Sequence, residues 1–102
     1  MRTYPDFVAA RELDIYAENR REVYFSAIVP TVENLSRKAR KGTYDDAKAL
    51  KAWAGVAEAA ARLYCREFAT ADAWHLVFNA ATRRAAAEEL RRCYAGNVKE
   101  AA

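Results

Sequence analysis

Three kinds of side chain in this 102-residue chain have the types and spacing to do chemistry: a carboxylate pair, one histidine with two cysteines, and several basic doublets. Asp45 and Asp46 are adjacent within KGTYDDAKALKAW, the stretch from Lys41 to Trp53. Two carboxylates can share a proton or hold a cation, but neighbouring helical positions point about 100° apart and do not converge without further partners. No histidine or glutamate close in sequence completes such a set. Local structure accounts for them better. Gly42 follows the cationic run Arg37-Lys38-Ala39-Arg40-Lys41 and suits the left-handed residue that closes a helix. Thr43, with Asp46 three residues on, has the spacing of a capping box. Both aspartates then fall in a first helical turn, where negative charge is favoured. Tyr44 is left over: it either packs against the first helix or offers an aromatic contact beside Lys41.

His75, the single histidine, follows Trp74 near an expected helix start. General acid–base work or a triad needs a nucleophile and an orienting carboxylate within reach. Thr70, Thr82 and Ser26 carry no nucleophile-elbow signature. Cys65 stands before Arg66, a cation that favours a thiolate, but has no assembled histidine partner. Cys65 and Cys93 lie 28 residues apart without a CxxC motif, which leaves no zinc-finger or thioredoxin-like pattern. They read as two reduced thiols of a cytoplasmic protein. Gly42, Gly55 and Gly96 are isolated and form no phosphate-cradling loop. The sequence therefore assigns no catalytic residue, no cofactor and no metal ligand, and the expectation is a non-enzyme.

The basic residues are the remaining surface signal. Arg37, Lys38, Arg40 and Lys41 crowd one helix end, and Arg20-Arg21, Arg83-Arg84 and Arg91-Arg92 add doublets. Helix-dipole complementation and solvated ion pairs explain such residues. The functional alternative is a phosphate-contacting patch, with Tyr44 stacking on a base of a single strand. Arg37, Lys38, Arg40, Lys41, Tyr44, Arg83 and Arg84 are thus the candidate contacts to a partner or a nucleic acid. The net charge of +3 is spread as +2, 0 and +1 over residues 1–41, 42–69 and 70–102, a weak excess for a dedicated nucleic-acid binder.

The elements that position these residues are expected to be helices. Alanine supplies 24 residues, Gly and Pro together five, and Val and Ile nine, which argues for an all-α fold over a β-rich one. Leu13, Ala17, Tyr24, Ile28, Val32, Leu35 and Ala39 recur at steps near 3.5 to 4 and continue in phase past Pro30. This predicts one long first helix, starting near Pro5 and kinked near Pro30, with Arg21 snorkelling from its apolar stripe. A second helix, from about Tyr44 to Phe68, has a broad apolar face of Leu50, Trp53, Ala54, Ala57, Ala60, Ala61, Tyr64 and Phe68, and is expected to be the central one, with Trp53 near the middle of the core. Thr70 or Asp72 would cap a short helix through Trp74 to Phe78, and Asn79 a last helix ending at Gly96-Asn97. That last helix lines up Thr82, Ala86, Leu90, Cys93 and Tyr94, with Arg84–Glu88 and Glu88–Arg92 pairs at i,i+4. The sum is a single domain over 1–102: a small bundle of three main helices plus a short connecting one, with residues 97–102 a frayed tail. No stretch is long and apolar enough for a membrane span.

From Leu35 to Leu90 the chain resembles a group of small, uncharacterised proteins of phages and other bacterial mobile elements. The resemblance rests on NLSRKARKGTYDDAKALKAW, with its G-T-Y-D-x-x-K-A corner, on AARLYCREF, and on the aromatic and basic positions that precede Ala86 and Leu90. It implies a genomic setting and no particular activity. The expectation is a non-enzymatic interaction module of a mobile element that docks a helical face on a protein partner, with inhibition of a host complex as one form. The alternative is a nucleic-acid-binding accessory protein using the basic patch. Clustering of Arg37, Lys38, Arg40 and Lys41 with Arg83-Arg84 on one face would favour the alternative; exposed aromatic surface would favour the protein partner. Tyr16, Tyr24 and Phe25 on the first helix suggest, in addition, a homodimer formed by pairing first helices.

Overall fold

A computed structural model describes residues 6–68 and 80–101, with side chains described over 11–68 and 80–98. The described residues are helical throughout apart from short breaks. In chain order they form α1 (Asp6–Asn19), α2 (Arg21–Val23), a π-helical turn π1 (Tyr24–Ile28), α3 (Val29–Arg40), α4 (Asp46–Glu67) and α5 (Ala80–Ala101). The expected short helix around Trp74, with Thr70, Asp72, His75 and Asn79, lies outside the described residues.

The first helical stretch is interrupted, but at Arg20 and not at Pro30. Arg20 adopts an extended conformation with φ −88° and ψ 115°. Its N–H still donates to the Tyr16 carbonyl at 2.9 Å, and its carbonyl already accepts from the Tyr24 N–H at 2.8 Å, so one helix stops and the next begins at once. Asn19 assists the stop by donating from Nδ2 to the Ile15 carbonyl at 2.8 Å. Around Pro30 the chain stays helical. Proline lacks an N–H and crowds the carbonyl four residues back, here that of Ser26. The wider π turn over Tyr24–Ile28 opens the backbone just where that crowding falls. Thr31 Oγ1 donates to the Ala27 carbonyl at 2.7 Å, a side-chain bond that supplements the disturbed ladder. The break and the π turn also shift the apolar phase. Val23 is buried while Tyr24 is only half-buried.

α3 ends as its sequence dictates. Gly42 has φ +72°, its N–H donates to the Ala39 carbonyl at 3.1 Å, and the Thr43 N–H reaches back to the Lys38 carbonyl at 2.9 Å. These are the two bonds of a Schellman motif, which needs a left-handed residue at the position Gly42 holds. α4 then starts from Asp45, whose Oδ1 accepts from the N–H groups of Ala47 at 2.8 Å and Lys48 at 3.2 Å. The cap is Asp45, and the box expected between Thr43 and Asp46 does not form. Thr43 belongs to the end of α3, and its hydroxyl also donates to the Lys38 carbonyl, at 3.3 Å.

Fifteen apolar residues make up the described core, and seven of them are alanine: Ala17, Ala49, Ala57, Ala60, Ala61, Ala86 and Ala87. Small residues let helices approach closely, which fits a molecule of 47 × 23 × 16 Å. The larger anchors are Leu13, Ile28, Trp53 and Leu90, all essentially inaccessible. Trp53 stacks on Tyr94 of α5 with ring centroids 5.3 Å apart and planes 18° from parallel. The hub of the bundle is α5, which packs extensively against α4, α1 and α3, and not α4 as its broad apolar face suggested. Ala54 and Phe68, expected on that face, are exposed. α5 also runs on past Gly96-Asn97 to Ala101, with Val98 buried in the core.

Candidate functional site

The corner from Lys41 to Asp46 carries most of the residues singled out by sequence. Arg37, Arg40 and Lys41 are exposed and Lys38 is half-buried, all within the last turns of α3, where cations complement the helix dipole. Tyr44 is 36% exposed. Its hydroxyl is pushed above the usual tyrosine range by burial, then by a hydrogen bond donated to Asp46 and by that carboxylate's charge, with Arg91 acting in the opposite sense. Arg91 of α5 approaches Asp46 at 3.8 Å. Tyr44 is therefore tied to the corner through its polar end while part of its ring faces solvent. Arg83 is half-buried and Arg84 exposed, near the start of α5. Arg84 Nε lies 4.0 Å from Glu88, the expected i,i+4 partner. Arg92 pairs with Glu89 at i,i+3, and not with Glu88. Arg83 and Arg84 thus stand on α5, while Arg37, Lys38, Arg40 and Lys41 stand at the end of α3.

A second surface lies where α1 meets the end of α4. Tyr16, Tyr64 and Phe68 form an aromatic group, with centroid separations of 5.0 Å for Tyr16–Tyr64, 4.7 Å for Tyr64–Phe68 and 6.3 Å for Tyr16–Phe68. The Tyr16 hydroxyl donates to Glu67, and Arg20 pairs with Glu67 at 2.8 Å while its guanidinium lies 5.8 Å from the Tyr16 ring centre. Burial and the Glu67 carboxylate raise the Tyr16 hydroxyl well above its ordinary range. The break at Arg20 thus serves this clamp, which holds the rings in place. Phe68 remains 47% exposed, as does Ile15 of α1, the residue before Tyr16. Phe25 on π1 is 59% exposed, edge-on to Tyr24, with Arg21 over its ring. A shallow groove of about 330 Å³ runs between the π turn and α4, lined by Ser26, Pro30, Thr31, Asn34, Gly55 and Val56 among others. Sequence reasoning noticed Tyr16 and Phe25 but missed the Phe68 end, because Phe68 was assigned to a buried face.

A third location joins α1 and α5. Asp14 and Glu18, one turn apart on α1, converge with Cys93 of α5, and their ligand-type atoms lie within 4.8 Å of one another. Asp14 is 95% buried, and its Oδ1 has no hydrogen-bond partner. Burial, then the charges of Glu18 and Glu89, push the Asp14 carboxyl up to about 6, against the opposing pull of Arg11 and Arg92. The Cys93 thiol is raised by burial, then by Asp14, Glu18 and Glu89, with Arg92 opposing. The i,i+4 spacing of Asp14 and Glu18 is legible in the sequence, but nothing in it announces Cys93 as their neighbour. Cys65 is half-buried and apart from this group. Among the described residues, no helix is long and apolar enough to cross a membrane. Compared with known proteins, the chain matches no family model, no curated protein and no solved structure.

Proposed function

We propose that the protein is a non-enzymatic interaction module of a phage or other mobile element, which docks its helical surface on a protein partner in the cytoplasm. The observation that carries this reading is the clamped aromatic group at Tyr16, Tyr64 and Phe68, with Phe68 47% exposed. Large apolar side chains left at a surface are a common mark of a protein interface, and aromatic anchors carry much of the affinity there. The Arg20–Glu67–Tyr16 network fixes the rings before binding, which lowers the ordering cost of association. The setting in a mobile element comes from the G-T-Y-D-x-x-K-A resemblance, and inhibition of a host complex is one form the docking takes in this reading.

The basic corner supports a second reading, nucleic-acid binding through Arg37, Lys38, Arg40, Lys41 and Tyr44. It is less well supported, because two of the tyrosine's features, its bond to Asp46 and the nearby Arg91, are already accounted for by the fold. Pairing of first helices through Phe25 and Ile15 is the corresponding proposal for a homodimer.

The test is affinity capture from a bacterial lysate with the wild-type chain, Phe68→Ala, Phe25→Ala and a Lys41→Glu, Arg37→Glu double variant, combined with sedimentation of the purified protein. A protein retained by wild type and by the charge variant, but lost with Phe68→Ala, supports the docking module. Loss of Phe25→Ala dimers in sedimentation identifies self-association. If oligonucleotide anisotropy instead gives binding that weakens by orders of magnitude between about 50 and 200 mM salt and is lost with the charge variant, the nucleic-acid reading replaces it.

A further inference from the structure

We propose that Asp14, Glu18 and Cys93 form a binding site for a zinc-class divalent cation at the seam between α1 and α5. The three side chains offer two carboxylate oxygens and one sulfur, each within 4.8 Å of the others. An acidic cluster alone would mean little. The independent observation is Asp14: it is 95% buried, yet Oδ1 has no donor within hydrogen-bonding reach. A buried carboxylate oxygen without a partner is costly, and a cation is one of the few groups that removes that cost. The nearby cations do not fill the role. Arg92 is engaged by Glu89, with Nη2 2.6 Å from Oε1, and Arg11 is an exposed residue of α1.

The donor set selects the ion. Mg²⁺ and Ca²⁺ prefer oxygen ligands alone, whereas Zn²⁺ takes thiolate and carboxylate together in a tetrahedron. Zn–S near 2.3 Å and Zn–O near 2.0–2.2 Å place ligand atoms roughly 3.3–3.7 Å apart in such a tetrahedron. The present separation is wider, so the site closes by rotamer changes of about an ångström. Glu18, half-buried with a long side chain, has the freedom to supply them. Water completes the fourth position. On binding, the Cys93 S–H bond breaks, its proton passes to solvent and the sulfur lone pair bonds the metal. The crowding of negative charge that disfavours the free thiolate at Cys93 is the same charge that attracts the cation. The site ties α1 to α5 at the margin of their packing, where Asp14 is buried, Glu18 half-buried and Cys93 exposed, and is independent of the aromatic surface proposed for docking.

The experiment is a titration of the purified, reduced full chain with Co²⁺, which reports ligand type by its spectrum, followed by displacement with Zn²⁺. One equivalent of Co²⁺ is expected to bind, with a thiolate-to-cobalt charge-transfer band in the near ultraviolet and tetrahedral d–d absorption, both abolished by Zn²⁺. Cys93→Ser should remove the charge-transfer band, Cys65→Ser should leave it unchanged, and Asp14→Asn should weaken binding by more than the roughly 100-fold at the upper end of what loss of an outer-shell partner costs. Circular dichroism of each variant establishes that the helices persist. Absence of any spectral change with wild-type protein overturns the proposal. So does a band that survives Cys93→Ser, or an affinity unaffected by Asp14→Asn.

Discussion

Two acidic pairs sit in this small bundle in opposite circumstances. Asp45 and Asp46 are adjacent, exposed and fully employed: one caps α4, and the other meets Tyr44 and Arg91. Asp14 and Glu18 are one helical turn apart, and Asp14 is buried without a partner for Oδ1. The conspicuous pair in the sequence is punctuation, and the inconspicuous one carries a buried carboxylate oxygen with no donor. Charge at a helix start is explained by the helix. A carboxylate oxygen buried without a donor has to be explained by something else.

The largest expected effect tests the seam. Replacing Asp14 by Asn in metal-free protein removes an anion from a buried place and should raise stability at neutral pH by about 1 to 3 kcal/mol, allowing for screening on the Glu18 and Cys93 side, read by urea unfolding. The pH dependence follows from the sign of the shift. A carboxyl whose folded value is raised to about 6 holds its proton more tightly in the native state than in the unfolded chain. Its contribution is therefore favourable at low pH and is lost as pH rises from about 4 through 6. Wild-type metal-free protein should show that loss across the window, and Asp14→Asn should flatten it. Equal slopes for the two proteins would dissolve the contrast with the corner.

Smaller effects belong to the corner. Asp45→Ala removes the acceptor for two N–H groups of α4 and should cost about 1 kcal/mol, measured by thermal or urea unfolding. Gly42→Ala should cost a comparable amount, about 1 kcal/mol, for a different reason: a Cβ there meets no atom within 4 Å, so the whole penalty is the φ of +72°. Gly42→Asn should recover part of it. Arg91→Ala, which breaks an ion pair on a strongly exposed Asp46, should change stability by no more than about 0.5 kcal/mol. A loss of 2 kcal/mol or more from Arg91→Ala would mean that the corner, too, contains a buried charge problem.

The difference in legibility has the same origin. The all-helical class, the stop at Gly42 and the burial of Trp53 follow from local rules readable in a few neighbouring residues, while the cap of α4 is Asp45 and not the Thr43–Asp46 box that spacing suggests. The break at Arg20 was not readable, because no Gly or Pro marks it and its side chain's partner, Glu67, is distant in sequence. Pro30 drew attention to the wrong place: the backbone absorbs it in the π turn that precedes it. The role of α5 as hub was hidden because its alanines look no more buried in sequence than those of α4. Cys93 lies far from Asp14 along the chain, so their meeting is a product of packing that one-dimensional spacing cannot express. Phe68 was read as buried because it continues the α4 stripe, but α4 ends at Glu67 and releases it.

The most direct test of the contrast is the titration of Asp14 itself, by carboxyl ¹³C chemical shifts in the metal-free protein. Burial without a partner predicts a midpoint near 6. A midpoint at or below the ordinary aspartate value of about 3.9 would show that Asp14 is solvated or paired, and would contradict the account.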